Sequence, residues 1–212
     1  MKQLSVVVGG KFACFTHPAL KVERSSYKII TPSAAVGVLS CIYWKPEFVW
    51  QIKSIELLTP VKSELVMTNE IKDFSDKPIF IQDKTRRTQR FTERLINQKY
   101  VIHAEQVMVG SHTLEDRIKH EDTFNRRVQK GKCFRQPFLG LKEFVCDFEP
   151  YNPELHKPIS VTEDLGVMLQ YIVYPESGKR RLRDNIKPVF FQANLVDGVM
   201  FVPPLEERYD FI

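Results

Sequence analysis

The chain has 212 residues, 43% of them apolar and 27% charged, with a formal net charge of +5. That apolar share excludes wholesale disorder, and the length suits one large domain or two small ones. No apolar run approaches the roughly 20 residues of a bilayer-spanning helix, and Met1 to Val8, with one positive charge and a short apolar run ending at Gly9-Gly10, makes a poor signal peptide, so cytoplasmic residence is expected.

Leu4 to Val8 reads as a first strand, enriched in β-branched residues. Phe12–Phe15 and Val22–Ile30 also look extended. Thr31 is a natural helix N-cap and Pro32 fits the first helical position, where its missing N–H costs nothing. The predicted helix runs to Ile42 and is stopped by Pro46; Gly37 inside it suggests close packing against a neighbour. Phe48–Leu58 reads as a strand whose alternation slips between Ile52 and Ile55, as at a bulge. Extended structure resumes over Val61–Ile71. Asp73–Lys84 reads as a loop, Arg90–Gln98 is ambiguous, and Tyr100–Val109 alternates as a strand. A polar helix is expected between His112 and Lys130, closed by Gly131, with Leu114–Ile118 and Phe124–Val128 as its apolar stripe. Lys132–Lys142 reads as a loop and Glu143–Phe148 as a short strand. After the prolines 150, 153 and 158, strands are expected at Gly166–Tyr174, Pro188–Leu195 and Val199–Val202, the last two joined at Asp197-Gly198, a strong hairpin signal.

The order β–α–β–β–(α)–β suits an α+β, ferredoxin-like N-terminal domain over residues 1–148, and the tail, 149–212, a small antiparallel β-sheet domain. The cysteines, Cys14, Cys41, Cys133 and Cys146, form no CxxC pair and have no His at zinc-finger spacing, so free thiols are expected rather than a structural zinc site.

Positive charge is concentrated in Lys84–Arg90, in Arg126-Arg127 through Arg135, and in Lys179–Arg183, each near aromatic residues. Such clusters are the electrostatic footprint of a nucleic-acid binder, although each singly also describes a solvated face. No Gly-rich phosphate loop, HExxH or Gly-x-Ser-x-Gly occurs, and the carboxylates form no evident metal cluster. Two stretches stand out. Tyr43-Trp44-Lys45 puts two aromatics and a cation at a helix end, which is either a base-stacking platform or core packing; packing is the better reading for Trp44, and Tyr43 fits both. Lys119-His120, followed by Arg126-Arg127 and the basic loop Lys130–Arg135, joins a group that transfers protons near neutral pH to a cation able to neutralise a charged phosphate. The same dipeptide is also what an ordinary solvated helix carries.

Several ordered motifs resemble one family: Phe15-Thr16-His17-Pro18, Glu23-Arg24-Ser25-Ser26-Tyr27, Thr31-Pro32-Ser33-Ala34-Ala35, Ile42-Tyr43-Trp44-Lys45-Pro46, Lys119-His120 with Arg126-Arg127, Pro137-Phe138-Leu139-Gly140, and Gly166-Val167-Met168-Leu169 followed by Tyr174-Pro175. Together they are similar to the CRISPR-associated family five, d-type (Dvulg, subtype I-C). The resemblance implies a RAMP-type fold and metal-independent cleavage of the CRISPR repeat transcript at the 3′ base of its hairpin, with no cofactor. The product's 5′ handle then stays bound within the type I-C surveillance complex. It carries the family's catalytic Tyr, Lys and His onto Tyr43, Lys119 and His120. The expected RNA contacts are Arg24, Lys45, Arg86, Arg87, Arg126, Arg127, Lys132 and Arg135. The implied partners are repeat RNA, the other subunits of the complex and double-stranded DNA contacted within it, with no membrane. The chain departs from many relatives in having Gly131-Lys132-Cys133-Phe134-Arg135 where they have a Gly-Gly-Arg-Arg loop, and Val36 and Val49 where some have Arg. A non-catalytic subunit that only holds the handle is the alternative; a plain DNA-binding protein rests on charge alone.

Overall fold

The computed structural model describes residues 3–20, 23–72, 80, 82, 85–173 and 187–204. Lys84, Tyr174, Pro175 and the cluster Lys179–Arg183 lie outside them.

Ten elements follow in order: β1 (Leu4–Ala13), α1 (Pro32–Ile42), β2 (Phe48–Leu57), β3 (Ser63–Ile71), β4 (Arg87–Met108), α2 (Leu114–Gln129), β5 (Asp147–Pro150), β6 (Glu163–Val173), β7 (Lys187–Val196) and β8 (Val199–Phe201). They build one eight-stranded antiparallel sheet in the order β5-β1-β4-β2-β8-β7-β6, with β3 on β4. The stretch β5-β1-β4-β2 is the strand order of a βαββαβ unit, as the element sequence predicts. The C-terminal strands are antiparallel and join the same sheet where β8 pairs β2. The expected boundary at residues 148 and 149 falls inside β5.

Local chemistry sets the helix ends. The Thr31 side chain accepts from the Ala34 N–H, and Pro32 opens α1. Thr113 and Asp116 form a reciprocal capping box at the start of α2, and Gly131, at φ +60°, follows its C-cap Lys130. The slip foreseen in β2 is a register shift between Ile52 and Ser54 opposite β4. The Asp197-Gly198 turn has φ of +46° and +78°, and a Cβ on Gly198 would lie 2.1 Å from the Ile159 carbonyl oxygen, so glycine is required there.

Three local expectations need correction. Gly37 faces open space: a Cβ there would meet no atom within 4 Å, so close packing does not explain it. The apolar stripe of α2 is half a stripe: Phe124 and Val128 are buried, while Leu114 is 65% and Ile118 45% exposed, because no element among the described residues covers the first half of the helix at those positions. The ambiguous stretch before Tyr100 is strand, so β4 is 22 residues long. Its N-terminal half pairs β3 as an arm that exposes Leu65, Met67, Ile71 and Phe91.

The core lies between the helices and the even-numbered side of β1. Leu4, Val6 and Val8 meet Val38, Leu39 and Ile42 of α1, Phe124 and Val128 of α2, Phe48, Trp50 and Ile55 of β2, and Tyr100 and Ile102 of β4. Met168, Leu195 and Met200 extend the same cluster into the C-terminal strands. Apolar burial of this extent is the main favourable term in folding. Among the described residues, no helix is long and apolar enough to cross a membrane.

Candidate active site and RNA-binding surface

The end of α1 sets the site. Ile42 is its last helical residue, and Tyr43 caps it with extended backbone (φ −151°, ψ 123°) while its N–H still donates to the Leu39 carbonyl. That turn sends the Tyr43 ring inward and the next side chain outward. Tyr43 is 5% exposed and Trp44 is 55% exposed, which reverses the expectation that Trp44 packs in the core. The buried Trp50 indole N–H then donates to the Tyr43 carbonyl at 3.1 Å and fixes the turn.

Tyr43 meets α2 at His120: its hydroxyl oxygen lies 2.8 Å from His120 Nδ1. The imidazole is held by aromatic packing. The Phe48 ring centroid is 5.3 Å from that of His120 and 5.6 Å from that of Tyr43; Trp50 stands edge-on to Phe48 at 5.4 Å and to Phe124 at 4.9 Å. Alternation in β2 thus supplies the shelf (Phe48, Trp50), and α2 supplies the His and the Phe124 that grips Trp50. Either tautomer satisfies the Tyr43–His120 contact.

Burial pushes the His120 imidazole below its ordinary value; Glu47 and Asp116 oppose this, and Lys45 and His112 add to it. Burial raises the Tyr43 hydroxyl, with Arg127 opposing. Near neutral pH the pair is therefore a protonated phenol against a neutral imidazole, a state in which a His can accept a proton.

Lys119 precedes His120 on α2, with its side chain on a neighbouring face and no bond to the pair. It is exposed on α2 and lines a surface groove of ≈ 430 Å³ with Glu115, Ile118, Asp122, Thr123 and Arg126. Thr123 links the two sides: it lines that groove, its hydroxyl donates to the Lys119 carbonyl at 2.8 Å, and its hydrogen bonding to the Tyr43 hydroxyl works, like Arg127, against the burial that raises the phenol. Next to it Arg126, Arg127, Lys130 and Lys132 line a second groove of ≈ 310 Å³. Arg127 donates to the Ile42 carbonyl at 2.7 Å, and its guanidinium lies 5.0 Å from the Tyr43 ring centroid. Arg135 is exposed beside the end of α1, its N–H donating to the Cys41 carbonyl at 3.0 Å. Lys45 is exposed, close enough to His120 to act on its charge. Five of the eight expected RNA contacts, Lys45, Arg126, Arg127, Lys132 and Arg135, therefore gather where α1 and α2 end. Cations in the last turn of α2 also suit its dipole.

The other three belong elsewhere. Arg24 forms a 2.7 Å ion pair with Glu70 of β3, which also takes Arg90 at 3.5 Å. Arg87 opens β4 opposite Ile71, and the Arg86 carbonyl accepts from the Lys72 N–H at 2.9 Å. Arg86 and Arg87 sit at the start of β4 in the β3–β4 arm, and Arg24, from the segment before α1, packs against that arm with a bridge to Thr92. Two contributors went unselected in the sequence: Glu47 and Thr123. Glu47 gave a signal only as the residue before Phe48, and Thr123 only as i+3 from His120. Among the described residues, no group of three or more His, Cys, Asp or Glu side chains could hold a metal ion.

The family described as CRISPR-associated protein (Cas_Cas5) matches residues 4–203. A protein of Mannheimia succiniciproducens named CRISPR pre-crRNA endoribonuclease Cas5d is 38% identical, over 93% of this chain and 93% of its own length. One of the same name from Thermus thermophilus is 34% identical over 99% of this chain and 94% of its own. Among solved structures, a functionally uncharacterized protein from Streptococcus mutans superposes with a TM-score of 0.71 at 22% identity, covering 96% of this chain and 93% of that one. A CRISPR-associated protein superposes with a TM-score of 0.71 at 24% identity, covering 99% and 95%. A chain of a CRISPR RNA-guided surveillance complex gives 0.54 at 11%, covering 96% and 90%; these three likenesses are of fold. With the family matching nearly the whole length and both relatives above 30% identity end to end, this chain belongs to the d-type of CRISPR-associated protein family five.

Proposed function

We propose that this chain is a pre-crRNA endoribonuclease, as its two curated relatives are named, and that Tyr43, Lys119 and His120 carry the reaction. The observation that supports this best is the 2.8 Å contact between Tyr43 and His120 at the edge of a groove lined by four cations. The RNA's own 2′-hydroxyl attacks the scissile phosphate. His120 takes its proton, the new O–P bond forms, the P–O5′ bond breaks, and the 5′ oxygen takes a proton from solvent water as it leaves, giving a 2′,3′-cyclic phosphate and a 5′-hydroxyl. Lys119, exposed one residue away, neutralises charge building on the phosphate oxygens. Tyr43 orients the imidazole. The chemistry needs no metal.

The substrate is the CRISPR repeat hairpin, gripped by the cations at the ends of α1 and α2. Arg86 and Arg87 of the β3–β4 arm, with Arg24 packed against it, reach a separate part of the RNA. The product's 5′ handle stays bound, and the chain serves in the cytoplasm as a subunit of the type I-C surveillance complex, where it also contacts double-stranded DNA. Residues 1–148, which hold all three catalytic side chains, form the catalytic part, and 149–212 a supporting one.

Cleavage of matched and scrambled repeat RNA, with excess chelator and with a single 2′-deoxy nucleotide at the cut site, tests the whole reading. Cutting of the matched hairpin alone, unaffected by chelator and abolished by the deoxy substitution, is the expected result. Strict magnesium dependence, or cutting at an undiminished rate with the deoxy substrate, sinks the mechanism. Tight binding without cutting leaves the handle-binding role.

A further inference from the structure

We infer that Glu47 is a positioning residue for this site: its buried, otherwise unbonded carboxylate oxygen offsets the charge that His120 takes on when it accepts the proton of the RNA 2′-hydroxyl. The inference rests on the catalytic reading of His120 above and assigns its electrostatic partner.

Glu47 sits between the two elements that make the site. It follows the Tyr43–Pro46 turn and precedes Phe48, whose ring lies against both Tyr43 and His120. Its main chain is pinned, because its carbonyl accepts from the Val109 N–H at 2.9 Å, tying the start of β2 to the end of β4. Its Oε2 is shut off from solvent and has no hydrogen-bond partner. A dry carboxylate oxygen with no donor is unfavourable unless positive charge develops nearby. The nearby group that can acquire such charge is His120. Of the charges acting on that ring, Glu47 is the largest, ahead of Asp116 and His112 at the start of α2 and Lys45 after α1. Asp116 is committed to the capping box, where it accepts from the Thr113 N–H at 3.1 Å and the Thr113 hydroxyl at 2.8 Å. Lys45 and His112 have the wrong sign. Arg127, over the Tyr43 ring, acts on the phenol rather than the imidazole.

The consequence is a trade between two opposing effects. Aromatic packing around His120 disfavours imidazolium, and Glu47 restores part of the ring's basicity. A base works best when its own value lies near the working pH. Removing the carboxylate charge should make His120 a weaker base that stays neutral to lower pH.

The test is Glu47→Gln, which keeps the size of the side chain and removes its charge. Single-turnover cleavage of the repeat hairpin should show its acid limb displaced downward by roughly half to one pH unit, the size expected of one charge at a half-buried site. The plateau rate should fall several-fold and RNA affinity should hold or tighten. Glu47→Asp should keep most of the wild-type limb. Histidine NMR of the RNA-free protein should show the same downward displacement for His120. An unchanged His120 titration in folded Glu47→Gln overturns the inference. If Glu47→Gln does not fold, Glu47→Met, which also removes the charge, decides it in the same way. The NMR titration needs no cleavage, so the two readings fail separately: a His120→Ala protein that still cuts removes the catalytic assignment, and an unmoved titration removes Glu47.

Discussion

Two histidines of this chain sit against hydroxyl groups, on opposite sides of the sheet, and their second ring nitrogens are used differently. His103, on β4, has Nδ1 2.7 Å from Ser5 Oγ of β1 and Nε2 2.8 Å from Glu56 Oε1 of β2. Its side chain is 7% exposed, and Tyr151 stands edge-on to its ring at 5.3 Å. The connectivity is that of a Ser–His–carboxylate triad. Yet Ser5 lies within β1, paired with His103 of β4, and the next residue, Val6, is paired on both edges, so this stretch of backbone is held as extended ladder rather than as the turn of N–H groups an oxyanion hole needs. His120 is the less completely bonded of the two. Its Nδ1 faces Tyr43, no hydrogen bond among the described residues occupies Nε2, and four cations line the adjoining groove. A chain of short hydrogen bonds is therefore no mark of catalysis by itself; a free ring nitrogen beside a place where substrate can lie is the better guide.

That contrast can be broken from either side. The largest effect is expected at His120: changing it to Ala should slow single-turnover cleavage by roughly 10²–10⁴, the usual worth of a positioned acid or base, and leave hairpin affinity within a few-fold. His103→Ala should do the opposite. Cutting by the folded protein should continue at the wild-type rate, while chemical denaturation should show a loss of about 1–3 kcal/mol, because Glu56 and Ser5 lose their shared partner in a largely buried site. Should His103→Ala abolish cutting in a folded protein, the two histidines have been assigned the wrong way round.

Tyr43→Phe keeps the ring against Phe48 and removes the hydroxyl. It should reduce the cleavage rate by about tenfold without changing affinity, a smaller effect than loss of the proton acceptor itself. A silent change would leave Tyr43 as packing alone.

The smallest effects concern RNA binding, where the ends of the helices can be set against the β3–β4 arm. Removing a cation that neutralises one phosphate should flatten the log–log dependence of binding on salt by roughly 0.7–0.9. Arg126→Ala with Lys132→Ala, and separately Arg86→Ala with Arg87→Ala, read the two surfaces independently. An unchanged slope for either pair would mark that surface as solvated.

Tyr43 and Trp44 show why adjacent residues can differ in how legible they are. Their composition invites one fate for both, but α1 ends at Ile42 and its extended cap directs successive side chains oppositely. The Thr31-Pro32 opening and the Asp197-Gly198 turn were readable because a cap or a tight turn is satisfied by atoms a few residues away. The N-terminal half of β4 was not, since the covered face of that arm holds Arg90, Thr92 and Arg94 while the apolar Phe91 lies on the exposed one, so hydrophobicity does not track burial there. Leu114 and Ile118 misled for a related reason: helical spacing records that two residues share a face, and says nothing about whether another element covers it.

The sequence by itself determined the helix caps, the turn and bulge positions, the α+β order of elements, and the ordered motifs that carry the family resemblance, because each depends on residue types and spacings within one short segment. Only the tertiary structure decided that Tyr43 meets His120 across 77 positions, that Lys119 lines a groove without bonding to either, that five of the expected cations gather at the ends of two helices while three lie on or against a β arm, and that one carboxylate oxygen of Glu47 is left dry and without a hydrogen-bond partner. These are contacts between elements far apart in the chain, and they are set by which faces the core can bury together.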